Sequence, residues 1–219
     1  MMSKLTSSDG HIFDCWMKSA KGERKGGLVI IQEIFGVTQQ LKNLSTRYSD
    51  LGYDVAIPAL FDRQERGIEI SFDDAVRGRD MMQAADLEQT MEDINAAVEM
   101  LSSHDSRVAV MGFCWGGGLA IRAAQKLKIT AAVSFYGTRL PQYLDSPLKA
   151  PVLGHFGTMD DHVPAEMLKQ AEDYFTGFDV HLYETGHAFA NDARPQLYHQ
   201  QFAELAHQRT RKFFDQVLK

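Results

Sequence analysis

The sequence predicts an α/β fold: a mainly parallel eight-stranded sheet flanked by helices on both faces, in a single domain over residues 1–219. Three observations predict it. Short unalternated apolar runs, such as Leu28-Val29-Ile30-Ile31 and Ala131-Ala132-Val133, have the pattern of strands covered on both faces. Segments of helical spacing alternate with these runs, so successive strands are joined by crossovers into a parallel sheet. One run, Arg107-Val108-Ala109-Val110-Met111, leads through Gly112-Phe113-Cys114-Trp115-Gly116-Gly117 into a helical segment. A strand that turns into a helix at a nucleophilic side chain between glycines is the nucleophile-elbow pattern, here with cysteine where serine usually sits.

The elements follow in order. Residues 4–7 and 12–17 read as a hairpin joined through Asp9-Gly10, a favoured turn pair. Residues 27–32 are the third strand. A helix over 41–51 ends at Gly52, where a glycine belongs. A strand over 53–57 stops at Pro58, and a polar connection fills 61–70. Helices follow over 72–82 and 87–101; in the second, Leu87, Met91, Ile94, Val98 and Leu101 recur at helical spacing. The elbow strand over 107–111 and a helix over 118–127 come next. Strands over 131–135 and 152–156, a helix over 165–175, a strand over 179–183 and a closing helix over 193–217 complete the chain.

Composition narrows the function. A formal net charge of −6 argues against a nucleic-acid binder. Lys18, Lys21, Arg24 and Lys25 cluster near one loop and read as a solvated loop. No apolar stretch is long enough to span a bilayer, and the first eight residues lack a signal-peptide core. A cytoplasmic protein with no membrane partner is expected. The two cysteines, Cys15 and Cys114, suit a reducing compartment and provide neither a disulfide framework nor zinc-ligand spacing. Cys15, inside a strand, is expected in the core.

A cysteine nucleophile needs a base, and the base an orienting acid. In a sheet of this plan these lie on loops after the carboxyl ends of strands, in the order nucleophile, acid, histidine. Gly157-Thr158-Met159-Asp160-Asp161-His162-Val163-Pro164 offers Asp160 and Asp161, with Asp160 favoured. Glu184-Thr185-Gly186-His187 offers His187. His162 is its rival, while His155 and His181 read as half-buried strand residues. Gln32-Glu33-Ile34-Phe35-Gly36 follows the third strand, where a second oxyanion donor is expected. The N–H groups of Ile34 and Trp115 are the candidate donors. A carboxylate at Glu33 beside a thiolate would disfavour both charges. Glu33 is either a switch on the thiol or a plain structural acid.

Together, Gln32-Glu33-Ile34-Phe35-Gly36, the cysteine elbow, Gly157-Thr158-Met159-Asp160 with Val163-Pro164, and Gly186-His187-Ala188-Phe189 resemble the dienelactone hydrolase family of the α/β-hydrolase fold. The resemblance runs from about Gly27 into the final helix. It implies a hydrolase of a small ester or lactone with a triad of Cys114, His187 and Asp160. It also implies that Glu33 contacts the resting thiol and leaves it when substrate binds. No metal or organic cofactor is needed, and a monomer is implied. A thioesterase, a general carboxylesterase, or a non-catalytic binding or redox-sensing protein with a guarded thiol are the alternatives.

Two departures concern the substrate. The family's carboxylate-binding arginines fall at positions occupied here by Ala75 and Asn191, and Ala188 follows the histidine where serine is frequent. Arg77 and Arg79 lie near the first position and either could take its place, or both are solvated helix arginines. Without a bidentate guanidinium fork, specific carboxylate recognition is lost. A neutral or bulkier ester or lactone is then expected, against an apolar pocket for which Phe35, Trp115, Tyr136 and Phe189 are candidates.

Overall fold

The unalternated apolar runs are strands covered on both faces. In the computed structural model, which describes residues 1–218, every residue of Gly26–Ile31 and of Ala131–Phe135 is buried. Eight strands make a mainly parallel sheet accompanied by six α-helices, as expected. The chain separates into two units, Met1–Ala109 and Val110–Lys219.

The first unit holds β1 (Met2–Thr6), β2 (Ile12–Lys18), β3 (Gly26–Ile31), α1 (Gln39–Ser49), β4 (Tyr53–Pro58), α2 (Ala75–Ala84) and α3 (Leu87–Ser102). Its strands are ordered β1-β2-β4-β3. The β1–β2 and β2–β4 pairs are antiparallel and β3–β4 is parallel. Gly52, at φ +97°, turns the chain out of α1 toward β4. The inward face of α3 carries Met91, Ile94, Val98 and Leu101, four of the five residues marked by the sequence spacing; the fifth, Leu87, is only half-buried at the helix start. Asp93 shares that helix. Its fully buried carboxylate accepts from Arg63 Nε at 2.9 Å and Nη2 at 2.7 Å, and meets His11 Nδ1 at 3.2 Å. One ion cluster, centred on the buried Asp93 carboxylate, thus ties the first hairpin and the loop after β4 to α3. Cys15 is fully buried, as expected.

Element boundaries here shift by one to three residues from expectation, and two of the shifts have a local cause. Helix α2 starts at Ala75 because the Asp74 side chain accepts the N–H of Arg77 at 3.2 Å and caps the helix. Strand β4 includes Pro58, opposite Cys15; at the last strand position the missing N–H breaks no ladder.

Strand β5 (Val108–Phe113) carries the chain into the second unit. There follow α4 (Trp115–Lys126), β6 (Ala131–Phe135), a 3-10 turn at Leu140–Tyr143, β7 (Val152–Gly157), α5 (Ala165–Tyr174), β8 (Phe178–Tyr183) and α6 (Gln200–Val217). The order is β5-β6-β7-β8, with β6–β7 and β7–β8 parallel.

Helix α4 begins three residues before its expected start. The glycines that read as turn are helical: a Cβ on Gly117 would lie 2.7 Å from Gly137 Cα, and one on Gly118 would lie 2.2 Å from the Thr138 carbonyl oxygen. They let the helix touch backbone. The closing helix begins at Gln200 rather than 193, because Pro195 bars the helical conformation from the residue before it. His199 caps it, its Nδ1 3.5 Å from the N–H of Phe202. His155 is not half-buried but fully buried in β7.

Candidate active site

The elbow is a strained turn held by its own backbone. Cys114 sits at φ 54°, ψ −117°, a region that side chains other than glycine rarely adopt. Its N–H donates to the Phe135 carbonyl at 3.0 Å, and its carbonyl accepts from Gly117 and Thr138, each at 3.0 Å. Gly112 makes the turn possible, since a Cβ there would fall 1.9 Å from the Gly116 carbonyl oxygen. Trp115 opens α4, so its N–H belongs to the first turn, where a helix supplies no acceptor of its own. The Cys114 side chain emerges half-buried.

The acid and histidine loops leave neighbouring strands and are stitched together. Tyr183, the last residue of β8, accepts the N–H of Thr158 at 2.8 Å through its carbonyl, and Thr185 accepts that of Met159 at 3.0 Å. Gly157 allows this approach: a Cβ there would lie 2.3 Å from the Thr185 carbonyl oxygen. The result joins Asp160 to His187, Oδ2 to Nδ1, at 2.7 Å. The other carboxylate oxygen accepts the N–H of His162 at 2.9 Å. Asp161 is exposed and makes no such contact. The rival His162 is exposed too, its ring packed against that of His187 with centroids 4.5 Å apart.

His187 carries the chief electrostatic signal. Burial works against its charge, but the negative charge of Cys114, hydrogen bonding to Asp160 and Cys114, and the charge of Asp160 outweigh burial and lift its pKa to about 10. Its Nε2 is buried and reaches no partner at full hydrogen-bond geometry, so the Cys114 interaction is a loose one. The arrangement can take a proton from a thiol, hold it as an imidazolium, and pass it on.

The remaining candidates lie as follows. In the first unit, Glu33 and Ile34 are buried on the loop after β3. That loop is pinned by the N–H of Ile70 on the Phe35 carbonyl at 2.9 Å and by α2, where a Cβ on Gly78 would fall 2.3 Å from the Ile34 carbonyl oxygen. Phe35 meets Phe72 edge-on at 4.8 Å. Ala75 and Arg79 are on α2, with Arg79 exposed; Arg77 pairs with Glu65 at 2.6 Å. In the second unit, Tyr136 and Phe189 are fully buried, and the Tyr136 ring lies 5.0 Å from that of His187. Asn191 is buried, and its side-chain oxygen accepts the N–H of Ala193 at 3.1 Å, closing a turn. Among the described residues no group of three or more His, Cys, Asp or Glu side chains could hold a metal, and no helix is long and apolar enough to cross a membrane.

Sequence reasoning missed Tyr183 and the polar side chains around it. Its place two residues before Thr185-Gly186-His187 was the available signal.

Comparison with known proteins identifies the family. Residues 13–218 match the model of the dienelactone hydrolase family. Carboxymethylenebutenolidase from Pseudomonas putida is 33% identical over 199 residues, covering 85% of this chain and 84% of that protein. Carboxymethylenebutenolidase 1 from Cupriavidus pinatubonensis is 27% identical over 205 residues, covering 89% and 88%. Among solved structures, a "Putative Dienelactone Hydrolase" from Klebsiella pneumoniae superposes with a TM-score of 0.84 at 25% identity, over 99% of this chain and 98% of that one. The α/β-hydrolase fold is therefore the fold of this chain. With a matching family model over nearly its whole length, the chain belongs to the dienelactone hydrolase family and is a hydrolase of lactone or ester bonds.

Proposed function

We propose that the chain hydrolyses a small neutral ester or lactone through a cysteine nucleophile, with Cys114, His187 and Asp160 as its triad. The observation that carries this is the 2.7 Å contact of buried Asp160 with the His187 imidazole, on two loops that leave neighbouring strands near the half-buried Cys114. Cys114 gives its proton to His187 and its sulfur attacks the acyl carbon. The carbonyl π pair moves onto oxygen, where the N–H of Trp115 at the start of α4 stabilises it. The C–O bond to the leaving group then breaks, and the leaving oxygen takes the proton from His187. In a lactone that oxygen stays tethered to the acyl group. Water, deprotonated by His187, attacks the thioester and releases the carboxylic acid and the thiol. Asp160 keeps the imidazole in the tautomer and orientation this needs. The family resemblance adds the N–H of Ile34 as second oxyanion donor, and Glu33 as the carboxylate that guards the resting thiol.

A neutral substrate is favoured because Ala75 and Asn191 stand at the positions of the family's carboxylate-binding arginines, and the Asn191 side-chain oxygen is engaged in a turn. The test is a hydrolysis panel of dienelactones, neutral lactones, aryl esters and acyl thioesters, with Cys114→Ala as control. Turnover retained by Cys114→Ala removes the mechanism. Highest kcat/KM for a carboxylate-bearing dienelactone removes the substrate assignment. Preference for acyl thioesters makes the chain a thioesterase on the same machinery.

A further inference from the structure

Behind the candidate site lies a buried polar relay that its chemistry does not use. His155, on β7, is fully buried and yet satisfied at both ring nitrogens. Nδ1 lies 2.9 Å from the hydroxyl of Tyr183 and Nε2 lies 3.0 Å from the hydroxyl of Thr210. The proton positions follow from the outer partners. Thr210 donates to the Ala206 carbonyl at 3.0 Å, so it accepts from His155, whose proton is on Nε2. Arg209 donates to the Tyr183 oxygen at 3.1 Å, so the Tyr183 hydroxyl gives its own proton to His155 Nδ1. His155 stays neutral, held so by burial first and then by the nearby His207, His181 and Arg209.

The relay ends on the residue from which both functional loops hang. The Tyr183 carbonyl accepts the N–H groups of Thr158 and Thr185, each at 2.8 Å, one on the acid loop and one on the histidine loop. The Tyr183 ring lies 5.1 Å from that of Phe189, Phe189 lies 5.6 Å from Tyr136, and Tyr136 lies 5.0 Å from His187. Arg209 also covers the Tyr183 ring, 5.4 Å from its centroid. A buried polar chain of this kind is costly unless complete, and complete it rigidifies what it touches.

We propose that Tyr183 is a positioning residue for His187, its hydroxyl locked by His155 and Arg209 so that the histidine loop keeps the imidazole on Asp160 and Cys114. The inference rests on His187 being the base of the proposed mechanism. Tyr183 never meets substrate; it acts through the loop. The hydroxyl fixes the ring, the ring fixes Phe189, and the strand end fixes both loop carbonyl contacts. Loosening the relay therefore lets the imidazole drift from its two partners.

The experiment compares wild type with Tyr183→Phe, which keeps the ring, and with Arg209→Met, which keeps a stem of similar length at a half-buried site. Turnover is measured per thiol titrated with iodoacetamide, and the His187 imidazole is titrated by NMR. The expected result is a kcat lowered about tenfold in Tyr183→Phe with KM changed less than about twofold, as for a misplacement remote from the chemistry. The His187 proton affinity should fall about tenfold with it, a loss that mere destabilisation would not produce. Arg209→Met should move both in the same direction by less. A His155→Gln variant, able to accept from Tyr183 and donate to Thr210, should retain more activity than His155→Leu. Wild-type kcat per thiol with an unmoved His187 titration in both Tyr183→Phe and Arg209→Met overturns the proposal, even where Cys114→Ala is inactive. Retained turnover in Cys114→Ala overturns the mechanism instead, while the His187 titration still reads the positioning.

Discussion

Asp160 gives one carboxylate oxygen to Nδ1 of His187 at 2.7 Å and the other to the backbone N–H of His162 at 2.9 Å. The side chain is fully buried and both oxygens are engaged. Its orientation is therefore dictated by the backbone of its own loop, and the imidazole must present Nε2 away from it. An amide in its place would accept at one end and donate at the other, forcing the wrong tautomer on His187. Asp160→Asn should lower kcat by roughly a thousandfold with little effect on KM. Asp161→Asn, at an exposed position, should stay within about twofold of wild type. Steady-state kinetics on an aryl ester decides both, and equal losses would mean that the two aspartates share the role.

The raised proton affinity of His187 makes stability depend on pH. Its folded value, about 10, lies above the ordinary imidazole value of 6.5. A group raised on folding contributes stability that is fully present below the unfolded value and lost as pH climbs through the folded one. The gap in urea midpoint between wild type and His187→Gln should therefore be widest below pH 6.5 and shrink toward pH 10. Because Cys114 is the largest cause raising the value, Cys114→Ala should narrow the gap. A gap that widens with pH would contradict the pairing.

Gly157 tests whether the two loops must touch. A Cβ at this position would lie 2.3 Å from the Thr185 carbonyl oxygen and 2.8 Å from that of Gly186, both backbone atoms with little freedom to yield. Gly157→Ala should cost about 1–3 kcal/mol, as overpacking does. It should also lower kcat in the folded protein, because the histidine loop moves away from Asp160. Denaturation and kinetics on the same preparation separate the two effects.

The ion cluster of the first unit makes a prediction for stability alone. Asp93→Ala leaves the Arg63 guanidinium beside Asp93's vacated site with Asp9, at 2.7 Å, and the Ser7 hydroxyl, at 3.2 Å, to answer it. Removing one partner of a fully buried pair costs about 3–5 kcal/mol, and the loss here falls below that because Arg63 keeps Asp9 and reaches water. Urea denaturation should show that loss, while kcat per folded molecule stays near wild type.

The strands, the elbow and the order of the motifs were legible in the sequence because they are local. Five or six consecutive apolar residues have few alternatives to a buried strand, and a glycine-framed cysteine after such a strand has few alternatives to a sharp turn. The start of α4 was not legible: Gly116-Gly117-Gly118 reads as turn, and only the backbone of Gly137 and Thr138 packed against it explains why those glycines are helical. The start of the closing helix was not legible either: it begins at Gln200, past Pro195, where His199 caps it.

The sequence by itself determined the fold, the family and the segments proposed to bear the chemistry, since each depends on residues adjacent in the chain or on their order. Tertiary structure decided what depends on distance across the chain. It set Asp160 rather than Asp161 against His187, because only one of two neighbouring carboxylates is turned inward to meet a histidine 27 positions away. It turned His155 from a strand filler into the centre of a relay, because its partners Tyr183 and Thr210 lie 28 and 55 residues further on. Hydrogen bonds reach about 3 Å, and residues that far apart in sequence come within that reach only when strands and helix have packed.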